Sequence, residues 1–300
     1  MIEEVTPMFF RKKEKKTSSS SEMGRVINRF KKNHLAVLGL IIVVLIIMAT
    51  IIGPFFSPYP PGKQNFEVLL APPSAEHLMG TDSLGRDVFS RIIFGARYTM
   101  LIGVGVVAVV AFVGTVLGLI AGYYGGKIDF VLMRLVDMLL SIPALVLALG
   151  IAGALGGGLI NMIVAIGAVG WTQFARLVRG EVLSIKNNDY VTAARALGGR
   201  NSRIIIRHII PNIIAPMIVF TTLYIPSAIL WAAALSFLGL GVQPPTPEWG
   251  ALIAEGRGFI HFAWWISTFP GLAIMITVLG FNFMGDGLRD AFDPKMGKEL

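Results

Sequence analysis

Uncharged, mostly aliphatic runs alternate along this chain with short polar segments, and the runs are too long for the core of a water-soluble domain. A helix needs about 20 apolar residues to cross roughly 30 Å of hydrocarbon. Six segments approach that length: Leu35–Phe56, Met100–Ala121, Met138–Leu155 (beginning a turn or two earlier), Leu159–Val178, Ile213–Leu240 and Ala263–Gly285. The third and fourth are separated only by Gly156-Gly157-Gly158, so the chain is expected to turn back almost at once. The pattern predicts an all-α integral membrane protein with six transmembrane helices.

Composition supports that solvent assignment. Charged residues are 15% of the chain, against roughly 25% in soluble domains, and mean hydropathy is +0.71. A net charge of +8 raises nucleic acid as a partner, but the placement of the charges excludes it. Lys and Arg gather in the segments between apolar runs: nine in 1–34, two in 122–137, seven in 176–212 and three in the C-terminal tail. The alternate set holds four in 57–99, none in 156–158 and one in 241–262, a ratio of 21 to 5. The positive-inside rule then puts both termini in the cytoplasm and Trp264 and Trp265 at the outer interface. The first apolar run, about 22 residues long, exceeds the roughly 7–15 of a signal core. It follows 34 largely polar residues and precedes no small-x-small cleavage site, so it is expected to stay as an anchor. The stretch Arg11–Glu22, basic and then Ser-rich, predicts a disordered tail that serves topology or rests on anionic lipid.

The expected organisation is a cytoplasmic tail (1–34), a first span (35–56), an extracytoplasmic segment (57–99), a five-helix core (100–285) holding a cytoplasmic segment at 181–211, and a second tail (286–300). That cytoplasmic segment breaks the simple alternation. Asp189 suits a helix N-cap, and Tyr190 to Leu197 are mostly helix-tolerant residues. Gly198 and Gly199 end that helix cheaply. A second helix, Ser202 to Ile210, is expected to stop at Pro211. Ala193, Ala194 and Ala196 present almost no side chain, Leu197 adds an apolar contact, and Arg195, Arg200, Arg203 and Arg207 surround them. Such a knob suits docking into a partner's groove; a solvated basic loop that only sets topology is the competing reading.

The run Thr192-Ala193-Ala194-Arg195-Ala196-Leu197-Gly198, with Pro211 thirteen residues on, resembles the EAA signature of ABC importer permeases: Glu-Ala-Ala, three residues, Gly, nine residues, then Ile-x-Leu-Pro. Ala193, Ala194, Gly198 and Pro211 match in register; Thr192 replaces the Glu, and His208 and Ile210 replace the Ile and Leu. The substitution at Thr192 leaves open the usual salt bridge to the ATPase. A second likeness narrows the family. Gly80-Thr81-Asp82-Ser83-Leu84-Gly85-Arg86-Asp87, with Ser90-Arg91 and Gly95-Ala96-Arg97, looks like the segment before the second span of dipeptide, oligopeptide and nickel permeases. So do Asn33-His34-Leu35-Ala36, Arg134 with Asp137 ahead of Pro143, and Ala234 to Gly241 before Pro244-Pro245. Together they cover roughly residues 28 to 297 and resemble the C-type permeases of these importers.

That resemblance implies a type I importer permease fold in a prokaryotic cytoplasmic (inner) membrane. It implies a homologous second permease, two ATPase subunits carrying ATP and Mg, and an extracytoplasmic peptide-binding protein as partners, besides membrane lipid. Taken with the reading of the capped knob and its surrounding charge, it assigns ATPase coupling to Asp189, Tyr190, Thr192, Ala193, Ala194, Arg195, Leu197, Gly198, Arg203 and Pro211. The cargo it implies is dipeptides or oligopeptides, with nickel or another small solute as the rival, and a channel or signalling protein without an ATPase as the remote one.

Other residues carry two readings each. Leu84 to Ile93 is expected as a short amphipathic surface helix with Arg86, Asp87 and Arg91 toward water. With Asp82 and Arg91, it forms either a gate or platform under the binding protein, or a packed connector whose charges pair. Arg134 and Asp137 can neutralise each other at i,i+3 or form a cytoplasmic gate. Pro143, Pro216, Pro226 and Pro270 are expected to interrupt spans, and Gly114 and Gly118 to permit close helix packing. The chain has no cysteine, its four histidines (His34, His77, His208, His261) show no ligand spacing, and no Gly-x4-Gly-Lys-[Ser/Thr] occurs. Neither a metal site nor ATP hydrolysis by this chain is expected. Selectivity is expected to come from the binding protein and a mainly apolar passage.

Overall fold

The computed structural model describes residues 22–293; the expectations for the basic tail and for the last residues fall outside them. In chain order the helices are α1 (Glu22–Lys32), α2 (His34–Phe56), α3 (Val88–Tyr124), α4 (Gly126–Leu140), α5 (Ala144–Leu155), α6 (Leu159–Ile185), α7 (Asp189–Ala196), α8 (Asn201–Ile204), α9 (Ile210–Phe237), α10 (Trp249–Gly256) and α11 (Trp265–Phe292). A π turn, Ile205–Ile209, joins α8 to α9. Among the described residues five helices are long and apolar enough to cross a membrane: α2, α3, α6, α8 with α9, and α11.

The expected third span corresponds to a bent pair. Helices α4 and α5 meet at 88°, so Met138–Leu155 is not one straight helix, and a count of six requires the pair to be taken as one. The cause is local: Pro143 has no N–H, holds an extended backbone (φ −54°, ψ 122°) and stands at the N-cap of α5, while proline disfavours helix in the residue before it. Pro216 and Pro226 lie inside continuous α9, and Pro270 inside continuous α11. Those spans are not interrupted.

Two further expectations are corrected. No separate surface helix covers Leu84–Ile93; Asp87 caps α3 by accepting from the Ser90 N–H, and α3 then runs 37 residues to Tyr124. Pro211 does not stop a helix either. Helical backbone continues through the π turn into α9, and Pro211 sits at the join, where the bonding has already shifted to i→i−5, from the Ile210 N–H to Ile205 O.

The core forms where α3, α6 and α9 meet, through Ile102, Val106, Val110, Ile166, Phe174, Val178, Ile213 and Leu235. Helix α3 lies on α6 at nearly backbone contact. A Cβ added at Gly114 would stand 2.7 Å from Phe174 Cβ, and one at Gly118 would stand 2.6 Å from the Ala175 carbonyl. Both glycines are therefore used for packing inside this chain. Helix α2 packs on α3 and α11 yet leaves Leu38, Leu45, Met48 and Ile51 exposed, as expected of a span whose outer face meets lipid.

Candidate functional site

Candidate residues fall at opposite ends of α3. At one end, α6 stops at Ile185, and the chain turns through Asn187 and Asn188 into α7. Asn188, extended at φ −65° and ψ 151°, holds the N-cap position. Asp189 is the first helical residue and not the cap, and its carboxylate there suits the positive end of the helix dipole. The C-terminus of α7 is closed by a Schellman arrangement: the Gly199 N–H donates to Ala194 O and the Gly198 N–H to Arg195 O, both at 3.0 Å. This geometry needs a left-handed residue after the cap, which Gly198 supplies at φ +76°.

Only one side of α7 is anchored. Val191 is buried in the apolar cluster that also holds Ile204, Ile209 and Tyr123, and Ala194 is packed against that cluster. Tyr190, Thr192, Ala193, Arg195 and Ala196 are exposed, and Leu197 is 89% exposed. Gly198, Arg200, Arg203, Arg207 and Pro211 are exposed as well. The segment rests on the last turn of α3. Tyr123 Oη donates to Asn201 Oδ1 at 2.8 Å, Lys186 Nζ donates to Gly122 O at 2.9 Å, and the Arg195 guanidinium lies 5.9 Å from the Tyr123 ring centre.

Near this end Arg134 and Asp137 are not paired with each other. Asp137 accepts from Arg176 Nη2 at 2.6 Å, and Arg134 lies over the Phe130 ring. One helical turn does not impose contact when α6 offers a better-placed cation. A bidentate pair from Arg179 to Asp129 adds a second tie between α4 and α6. Sequence inspection passed over both α6 arginines, because their partners lie 39 and 50 residues away.

The other end of α3 reverses the expected exposure. Asp82, Arg86, Asp87 and Arg91 are buried, Arg91 to 1%. Asp82 Oδ2 accepts from Arg86 Nε at 2.7 Å and from Arg91 Nη1 at 2.6 Å, while Oδ1 accepts from the Leu84 and Arg86 backbone N–H groups. Glu255 of α10 completes the set, accepting from Arg86 Nη2 and Arg91 Nη1 at 2.7 Å each. Two guanidinium groups facing two carboxylates explain why these charges leave water: each retains a charged partner and hydrogen bonds. Asp87 meets His77 Nδ1 at 2.9 Å. Sequence reasoning missed Glu255, whose one signal was its position as the only acid within the apolar α10.

Further ties fasten the same end. Trp249 Nε1 donates to Ile92 O at 2.9 Å, Trp265 Nε1 donates to Thr81 O at 3.0 Å, and Thr99 donates to the buried Glu248 carboxylate at 3.3 Å. Trp265 is thus buried under the 57–87 segment, and Trp264 stays exposed.

Residues 114–298 match the family described as binding-protein-dependent transport system inner membrane component. Residues 21–73 match the N-terminal TM domain of oligopeptide transport permease C. The chain is 48% identical to the dipeptide transport system permease protein DppC of Alkalihalophilus pseudofirmus, over 89% of this chain and 88% of that one. It is 47% identical to the di/tripeptide transport system permease protein DppC of Pseudomonas aeruginosa (89% and 90%). It is 43% identical to the oligopeptide transport system permease protein OppC of Bacillus subtilis (90% and 88%). Among solved structures, a chain of the MetNI methionine ABC transporter in inward-facing conformations aligns with TM-score 0.53 and 20% identity, over 68% of this chain and 97% of that one. At that identity the likeness is one of fold.

Proposed function

The chain belongs to the binding-protein-dependent transport system inner membrane components, as a DppC/OppC-like permease of an ABC importer, and we propose that its cargo is short peptides. It is a multi-pass membrane protein and a subunit of a transporter complex. The cargo reading is supported by the dipeptide, di/tripeptide and oligopeptide in the names of the relatives above. Nickel is not favoured by any of those names.

The proposed complex pairs this chain with a homologous permease, two ATPases that bind ATP and Mg, and an extracytoplasmic peptide-binding protein. Both termini and α7 lie in the cytoplasm of a prokaryotic cell, and the spans cross its cytoplasmic membrane. That orientation is supported by the 21-to-5 distribution of Lys and Arg. Hydrolysis belongs to the ATPases, and this chain receives its mechanical output.

Helix α7 is the proposed receiver, and the observation that carries it is the exposed, nearly smooth face of Thr192, Ala193, Ala196 and Leu197 on a helix closed at its end by Gly198. An apolar side chain as exposed as Leu197 gains most from a partner's groove. Closure of the ATPases moves α7, the core turns its opening outward to accept peptide from the binding protein, and hydrolysis resets it. Thr192 supplies no carboxylate, so contact through this position is by shape, with the surrounding arginines providing charge.

The discriminating variant is Leu197→Asp, because Leu197 supports no packing of its own chain. Burying a leucine is worth about 1.5–3 kcal/mol, so ATPase retention in mild detergent should fall roughly 10- to 100-fold, with peptide uptake falling alongside it. Thermal stability of the permease should be unchanged. Undiminished uptake and ATPase retention in L197D would remove α7 as the receiver.

A further inference from the structure

Helix α1 has two unlike sides. At about 100° per residue, Val26, Ile27 and Phe30 share one side, while Arg25, Arg29, Lys31 and Lys32 spread over the other. It does not prolong α2. Asn33 between them has an extended backbone (φ −86°, ψ 103°) and spends its side chain capping α2 through the Leu35 and Ala36 N–H groups. The chain therefore changes direction where the span begins.

The contacts that hold α1 against the end of α11 include the following. Phe30 lies over Gly287, where an added Cβ would stand 3.3 Å from its ring. Arg29 Nη1 donates to the Asp293 carbonyl at 2.9 Å, and Asn33 Nδ2 donates to Asp290 Oδ2 at 3.3 Å. These place α1 beside the start of α2 and the end of α11. The charged groups of the α11 end are Asp286, Arg289, Asp290 and Asp293. Asp290 is engaged by Asn33, and Asp293 is engaged as well. Lys31 and Lys32 are exposed, and Ile27, on the apolar side, is 46% exposed. The first 34 residues carry nine Lys and Arg against four Glu.

We propose that α1 is an interfacial helix that binds anionic phospholipid, with Ile27 dipping into the acyl boundary and Lys31 and Lys32 holding headgroup phosphates. A helix with one apolar and one basic side, next to a span, is the form that lies in the interface of an anionic leaflet. The assignment rests on the cytoplasmic placement of the N-terminal segment proposed above. It adds a ligand, a lipid carrying net negative charge, to a region outside the proposed coupling helix.

The test uses the assembled transporter in vesicles of phosphatidylcholine alone or of equal parts phosphatidylcholine and phosphatidylglycerol. Phosphatidylglycerol carried through mild detergent extraction is measured by native mass spectrometry. Replacing Lys31 and Lys32 together by Gln should reduce the retained phosphatidylglycerol on the order of fivefold per lysine and leave retained phosphatidylcholine unchanged. Equal retention by wild type and double variant overturns the proposal. Because the chain has no cysteine, a spin label at Ile27→Cys reports depth independently. It should lie below the phosphates in the mixed vesicles. A label immobilised identically in both vesicle types identifies a protein chain as the occupant and also overturns it. Orientation is read separately by a membrane-impermeant maleimide on Asn28→Cys in intact cells. Labelling before lysis refutes the cytoplasmic placement itself, whereas labelling only after lysis upholds it whatever the lipid result.

Discussion

Asp82, Arg86 and Arg91 stand at one end of α3, and Arg195, Arg200 and Arg203 near the other, in opposite environments. The first three are out of water, held by one another and by Glu255. The second three are exposed. A buried charge left without its partner is expensive, so the α10 end is fixed in one arrangement. An exposed arginine is compatible with many arrangements, and the face it borders is free to meet another protein. One end of the molecule is finished by its own chain; the other presents an open face, the one proposed above to meet the ATPases.

The sharpest way to break this contrast is Asp82→Ala. It strands Arg86 and Arg91 in a buried site with Glu255 alone, at a cost of about 3–5 kcal/mol. The expected outcome is a permease that loses thermal stability severely in detergent, measured by the midpoint of aggregation on size-exclusion profiles. A midpoint close to wild type would mean that water reaches the network and that the two ends do not differ in kind. Next in size is Gly198→Ala, which puts a Cβ on a residue at φ +76°. A left-handed conformation costs a non-glycine residue about 1–2 kcal/mol. ATPase coupling should suffer more than global stability, because the strain falls on an exposed turn; uptake and thermal midpoint measured on the same preparation separate the two. The smallest effect is expected for Asp137→Asn. Its pair with Arg176 is about half exposed on both sides (53% and 52%), and such pairs contribute about 0–1 kcal/mol. A large loss of uptake at unchanged stability would instead give Asp137 a role in gating.

Much of the architecture is legible in the sequence because lipid leaves a one-dimensional record: a span must be long and apolar whatever it packs against. The apolar runs coincide with α2, the inner part of α3, α5, α6, α9 and α11. The 88° bend was less legible, since Pro143 announces a break but not its angle. The local signals in 189–198 were specific enough to locate α7, and Gly198 marks its end. Asp189 and Asn188 are both competent caps in adjacent positions, which sequence alone does not rank. The burial of Arg86 and Arg91 was hidden for a different reason. Arginine in a connector signals water unless its partner is known, and Glu255 is 169 and 164 residues away from them. Long-range neutralisation leaves no local pattern.

Helix α3 is 37 residues long, about 55 Å at 1.5 Å per residue, and therefore much longer than the hydrocarbon it crosses. Its first turns are locked into the network with Glu255, and its last turn touches Asn201 and Arg195 beside α7. No proline lies within it. It is consequently a lever with a load at each end. A tilt of about 10° around its middle moves each tip by about 5 Å at this length, a displacement comparable to one turn of helix. On the coupling role proposed for α7, a push delivered there would reach the far face along one continuous helix.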